Sequence, residues 1–221
     1  MRIFSKQALI ISMLISAVSC AEKKIRRQEN SLFFRRWLKH PLQMGTLAPI
    51  TPRLAQLAAS GISNPNSLYV EIGAGTGRLS RALLQQGVKP ENLALVELDS
   101  FFCDFLKQTL PSVLEPGQSL PPIIQGDAAT LPNLLPANFI GKVEIVFSVI
   151  PLMYILPAVR QAIIEAAFQV LKPGGIIIHV TYSPRSPLSF MPNLNQHRHG
   201  QIWFNLPPGF VWYYQKTVPT S

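Results

Sequence analysis

The chain predicts an α/β fold in which a mainly parallel, doubly wound sheet ends in an antiparallel hairpin. Three observations lead there. From Pro41 onward short apolar runs alternate with stretches of helical period, as repeated β-α units require. A glycine-dense turn, Gly73-Ala74-Gly75-Thr76-Gly77, joins the first apolar run to the helical stretch after it. Pro207-Pro208-Gly209 then links two final stretches too closely for anything but a hairpin.

In chain order the apolar runs fall at Leu68–Ile72, Leu93–Glu97, Ile123–Gln125, Val143–Val149 and Gly175–Tyr182. Helical stretches lie at Pro52–Ser60, Arg78–Gln86, Ser100–Leu110, Ala129–Leu135 and Pro157–Leu171. The last of these stops at Lys172-Pro173-Gly174-Gly175, where Pro and paired Gly end a helix and turn the chain. Ser183 to Gly200 contains Pro184, Pro187 and Pro192 without a clear period, which predicts a long loop. Gln201–Leu206 and Phe210–Lys216 are the expected strands of the closing hairpin.

A sequence of 221 residues has room for one α/β domain and a short N-terminal extension, not for two full domains. Apolar residues make up 48% and charged residues 14%, which excludes a disordered polymer and leaves apolar surface for a membrane. Lys and Arg outnumber Asp and Glu by 20 to 11, a net charge of +9. That balance favours anionic partners, either nucleic acid or the surface of an acidic bilayer. Cys20 and Cys103 offer neither a metal cluster nor a disulfide framework.

The composition divides the chain at residue 40, with an apolar segment and a basic amphipathic helix in 1–40 and the α/β domain in 41–221. Ala8 to Ala21 is almost wholly apolar and follows Arg2 and Lys6, the pattern of a signal peptide. It is shorter than the ~20 residues that carry a helix across a hydrocarbon core. An uncleaved apolar anchor, a misassigned upstream start codon and true export are the three readings. Next, Lys23, Lys24, Arg26 and Arg27 precede Phe33, Phe34, Trp37 and Leu38. On a helix Phe33 meets Trp37 and Phe34 meets Leu38 at i and i+4, an aromatic stripe beside a basic face, as an interfacial helix carries. The same stripe equally suits packing against the domain.

The glycine turn is where chemistry enters. Its glycines let the backbone bend sharply and approach a ligand where side chains would collide. The spacing is G-x-G-x-G, and Arg78 stands where a dinucleotide fingerprint wants Gly or Ala, which argues against NAD. Glu71 precedes the bend. Glu97 ends the second strand, where a carboxylate can accept hydrogen bonds from both ribose hydroxyls of a nucleoside. Asp99 suits a cap for the helix starting at Ser100. Asp127, in Gly126-Asp127-Ala128 after the third strand, can accept from an adenine amine.

One acid before the bend, one after the second strand and an Asp after the third are specific in combination. From Ser67 to Ala128 they resemble motifs I, II and III of the class I S-adenosylmethionine-dependent methyltransferases, whose Rossmann-like sheet also closes with an antiparallel strand. The resemblance implies S-adenosylmethionine as cofactor, with Glu71, Gly73, Ala74, Gly75, Thr76, Gly77, Glu97, Leu98, Asp127 and Ala128 as its contacts. In related families a segment such as Met44-Gly45-Thr46-Leu47-Ala48-Pro49 folds over the methionine end, making Thr46 either a contact or part of a plain linker. No metal is called for. A cofactor made and kept in the cytosol argues against export. Retention of Glu71, Gly73, Glu97 and Asp127 together speaks against a mere binding protein with a vestigial pocket.

In adenine-N6 methyltransferases, rRNA adenine dimethylases included, the end of the fourth strand carries Asn or Asp, then Pro and an aromatic residue. Phe147-Ser148-Val149-Ile150-Pro151-Leu152 instead puts Val149 at the polar place and Leu152 at the aromatic one, so a purine amine lacks its acceptor and its stacking face. From Phe34 onward the chain resembles the bacterial phospholipid N-methyltransferases. The resemblance rests on Arg36-Trp37-Leu38 with Pro41, Ile150-Pro151-Leu152, Val180-Thr181-Tyr182-Ser183-Pro184, and Ile202-Trp203-Phe204-Asn205-Leu206-Pro207-Pro208 with Val211-Trp212. It implies N-methylation of phosphatidylethanolamine and its methylated intermediates toward phosphatidylcholine. The enzyme would be cytoplasmic and peripherally bound to the inner membrane, meeting its phospholipid in an anionic surface and no nucleic acid. An rRNA adenine or a small-molecule amine is the alternative acceptor.

The catalytic candidates are Tyr182, Tyr154 and Ser148, the last through a water that it holds. No residue reads as a general base. Tyr182, Tyr154 and Trp203 also suit an aromatic wall for a quaternary ammonium product, against core packing as the other role for Trp203. His197, His199, Arg185 and Arg198 are expected in the proline-rich loop, either solvated or, for the two arginines, meeting the lipid phosphate.

Overall fold

The computed structural model describes residues 50–203 and 207–217. The expectations for residues 1–49, Thr46 and the aromatic stripe among them, lie outside the described residues, as do Phe204, Asn205 and Leu206.

Helix α1 (Pro52–Ala59) starts at Thr51, whose hydroxyl accepts the Leu54 N–H at 3.3 Å while Pro52 fills the first helical position. There follow β1 (Leu68–Ile72), α2 (Arg78–Gln85), β2 (Leu93–Glu97), α3 (Ser100–Thr109), β3 (Ile123–Gln125), α4 (Leu131–Leu134), β4 (Val143–Ser148), α5 (Pro157–Val170), β5 (Leu171–Thr181), β6 (Leu194–Ile202) and β7 (Gly209–Lys216). The sheet order is β3-β2-β1-β4-β5-β7-β6. β1 to β5 pair in parallel, and β7 is antiparallel to both β5 and β6, so β6 runs in the direction of β5.

Successive strand residues point to opposite faces, and the helices divide accordingly. On one face Tyr69, Leu95, Phe147 and Ile178 pack under Leu54, Ala58, Leu79, Leu83 and Leu106 of α1 to α3. On the other Val70, Val96, Val146 and Ile177 pack under Leu131, Ile163, Ile164 and Ala167 of α4 and α5. Each buried Leu, Ile, Val or Phe among them contributes about 1.5–3 kcal/mol by leaving water. The sheet is therefore doubly wound, as the β-α alternation predicts. Its winding reverses between β1 and β4, and ligands of such sheets bind at that switch point, beyond the carboxyl ends of the strands.

Two expectations need correction. The penultimate strand is Leu194–Ile202 rather than Gln201–Leu206, so the loop predicted over Ser183–Gly200 ends at Asn193. Asn195-Gln196-His197-Arg198-His199 is polar on both faces because β6 is the outermost strand of the sheet and buries little. Its alternation survives in what the side chains cover. His197 and His199 share a face and lie against the Tyr213 ring, at centroid distances of 5.3 and 4.3 Å, and Arg198 lies 5.7 Å from the Phe210 ring centroid. β5 also begins early, with Leu171 opposite Val143. The Lys172-Pro173-Gly174-Gly175 turn is absorbed as a bulge before Ile176 meets Ile145, with Gly174 at φ +78°.

Candidate active site

β1 runs into the glycine bend, and Gly73, Gly75 and Gly77 all take positive φ, at 75°, 53° and 77°. They do so for different reasons. A Cβ on Gly73 would sit 2.9 Å from Cγ1 of Ile150, in the segment after β4, and one on Gly77 would sit 2.5 Å from Cδ2 of Leu106. A Cβ on Gly75 would find nothing closer than the Gly73 carbonyl oxygen at 3.9 Å. Gly73 and Gly77 are thus fixed by packing, while Gly75 borders open space at the switch point.

Glu97 stands beside that space. Its Oε2 accepts the Gly75 N–H at 2.7 Å and its Oε1 accepts the Asp99 N–H at 3.0 Å. Burial pushes its pKa up, and the amides of Asp99, Gly75 and Leu98 oppose that. Each carboxylate oxygen has two lone pairs, so a hydroxyl can be accepted in addition to an amide. Asp99 caps α3, its Oδ1 accepting the Phe101 N–H at 3.0 Å. Asp127, exposed, accepts the Ala129 N–H at 2.9 Å. Ala74 and Thr76 are buried in the bend, Ala128 is buried after β3, and Leu98 is exposed.

Glu71 is fully buried beneath α2, where Ser80 Oγ donates to its Oε2 at 2.6 Å. Desolvation pushes its carboxyl up to about 8, against the Ser80 hydrogen bond, so it is mostly protonated at neutral pH. Its Oε1 has no hydrogen-bond partner among the described residues. An open cradle at Gly75 edged by a carboxylate, with a further buried carboxyl behind it, fits a nucleoside that brings hydroxyl donors.

The remaining candidates separate. Tyr182, at the end of β5, is partly buried, and burial pushes its phenol up to about 12 against the positive charge of Arg78. It is therefore a neutral hydrogen-bonding group at neutral pH. Tyr154, after β4, is 77% exposed. Ser148 does not reach solvent; it is fully buried, and its hydroxyl lies 3.1 Å from Nδ1 of His179 on β5. That position removes the expected role of holding a water for the acceptor. His179 is likewise buried and pushed down to about 3 by desolvation, hence neutral. A lone His in the run Ile176–Thr181 carries no functional signal; only the register that sets it opposite Ser148 shows the pair. Trp203 is 63% exposed, its ring edge-on to Phe210 at 6.2 Å, which excludes the core role. Leu152 is fully buried and cannot serve as a stacking platform.

Residues 70–179 match the family model of a methyltransferase domain. The chain has the Rossmann-like fold of the class I methyltransferases. Among solved structures it is similar to TrmN of Thermus thermophilus (TM-score 0.57, 18% identity, 80% of this chain and 53% of that one). It is similar also to magnesium protoporphyrin IX methyltransferase of Synechocystis PCC 6803 with bound S-adenosylmethionine (TM-score 0.55, 18% identity, 75% and 76% covered). A third is precorrin-6y C5,15-methyltransferase of Geobacter metallireducens GS-15 (TM-score 0.55, 14% identity, 75% and 88% covered). The chain spans about half the length of the Thermus protein. No curated protein matches the sequence.

Proposed function

We propose that the enzyme transfers the methyl group of S-adenosylmethionine to the amine of phosphatidylethanolamine, and to its methylated intermediates toward phosphatidylcholine, at an anionic membrane surface facing the cytoplasm. The observation that carries this reading is the distribution of exposed apolar side chains. Among the described residues the large apolar side chains left most open to solvent are Tyr154, Leu156, Leu98 and Trp203, at 77, 74, 68 and 63%. All four follow the carboxyl ends of strands β2, β4 or β6, the edge that carries the glycine bend. A rim of this kind around a reaction mouth suits an acceptor that arrives in a lipid surface, and the net charge of +9 suits anionic lipid. The sequence resemblance to phospholipid N-methyltransferases points the same way.

On this reading Glu97 accepts the ribose hydroxyls, Asp127 the adenine amine, and Gly73 to Gly77 leave the backbone close to the sulfur chain. The cofactor supplies an electrophilic methyl group. The chain contributes alignment and exclusion of water, and the aromatic faces of Tyr182, Tyr154 and Trp203 attract the methylated headgroup as its charge becomes permanent. The test supplies the full chain with methyl-labelled S-adenosylmethionine and vesicles of phosphatidylethanolamine and phosphatidylglycerol, followed by lipid chromatography. Label in mono-, di- or trimethylated phosphatidylethanolamine is expected. Label in added RNA or a soluble amine, with none in lipid, would overturn the reading.

A further inference from the structure

We infer that Arg78 is a further cofactor-binding residue, one that receives the α-carboxylate at the methionine end of S-adenosylmethionine. Arg78 is the first residue of α2, directly after Gly77, and is partly buried. Its Nη1 donates to the Ile50 carbonyl oxygen at 2.7 Å. Its charge also bears on the phenol of Tyr182 at the end of β5. The bond to Ile50, just before α1, and the charge effect on Tyr182, just after β5, place the guanidinium on the β5 side of the glycine bend. Glu97 and Asp127 stand on the other side, at the ends of β2 and β3.

A nucleoside that spans Glu97 and Asp127 sends its sulfur chain back across the bend, toward β4, β5 and Arg78. The electrostatics then fix which group can face the arginine. The donor carries two cations, sulfonium and ammonium, and one anion, the carboxylate. A guanidinium repels the first two, attracts the third, and presents a planar fork of five N–H donors that matches a carboxylate. The residue that departs from a dinucleotide fingerprint at this position thereby acquires a use. It also sorts ligands, since a nucleoside without an amino-acid tail has nothing to offer Arg78.

The test is calorimetry on the full chain with two probes, S-adenosylhomocysteine and 5′-methylthioadenosine, which share the nucleoside and sulfur but not the amino-acid tail. Arg78→Gln is expected to weaken S-adenosylhomocysteine about 10- to 100-fold while changing 5′-methylthioadenosine less than about twofold. Arg78→Lys, which keeps the charge, is expected to retain part of the preference for the tailed probe. Equal weakening of both probes by either variant would make Arg78 a prop for the bend only and overturn the inference, as would unchanged binding of both. The inference rests on the cofactor and not on the acceptor. A wild-type chain that binds neither probe would sink the cofactor assignment itself, a separate result from any change at Arg78.

Discussion

The N–H of Gly75 donates to Oε2 of Glu97 across 2.7 Å, so the bend after β1 and the acid after β2 form one hydrogen-bonded unit. Glu97→Gln keeps the shape but replaces one of the two acceptor oxygens with an NH2 donor that faces a backbone N–H, and it loses the negative charge that strengthens every bond the group accepts. S-adenosylhomocysteine is expected to bind about 10- to 100-fold more weakly by calorimetry, with a loss of about 1–3 kcal/mol in urea unfolding. Wild-type affinity in this variant would separate Glu97 from the nucleoside.

The glycines of the bend make a contrasting pair. Gly77→Ala drives a Cβ into Leu106 in a left-handed backbone, and a loss of about 2–3 kcal/mol in urea unfolding is expected. Gly75→Ala meets open space, so only the backbone penalty of about 1–2 kcal/mol applies. Its larger effect is expected on cofactor affinity, because the methyl group enters the cradle.

Two buried groups set opposite pH slopes. The Glu71 carboxyl is raised from 4.5 to about 8 in the folded chain. The folded state then holds more protons than the unfolded one across that window, and stability falls as pH rises through it. His179 is lowered from 6.5 to about 3. The unfolded state binds the extra proton there, and stability falls as pH drops below 6.5. Glu71→Gln is expected to raise the melting temperature relative to wild type more at pH 9 than at pH 6, and His179→Gln to gain on wild type at pH 5 relative to pH 7. Parallel melting curves at all pH values would contradict both.

The apolar rim is open to a direct test on residues outside the cofactor cradle. Met153, 41% exposed beside Tyr154, extends the rim, and Met153→Glu with Leu156→Glu is expected to reduce sedimentation of the full chain with anionic vesicles several-fold while leaving S-adenosylhomocysteine affinity as it was. Undiminished sedimentation would remove the rim from the lipid-binding account.

Much of the fold is legible in the residues themselves. β1 and β2 fall on the residues their apolar runs mark, because central parallel strands must be apolar on both faces. The Asp99 cap and the positive-φ glycines follow from local chemistry alone. β6 was misplaced for the opposite reason: an outermost strand tolerates Gln196, His197 and Arg198, and polarity then imitates a loop. Glu71 was expected among the cofactor contacts, and sequence gives no hint that Ser80, one turn into α2, takes one of its oxygens. Ser148 and His179 are far apart in sequence and meet only through strand register.

Glu97 is already anchored to two backbone amides, and such a carboxylate has little side-chain freedom left to lose when a diol arrives. The same grip applies once the methyl group has gone, since donor and spent nucleoside present identical sugars. If Glu97 holds the ribose, release after each turnover depends on the change of charge at sulfur, and the enzyme should be strongly inhibited by its own by-product unless another reaction clears it.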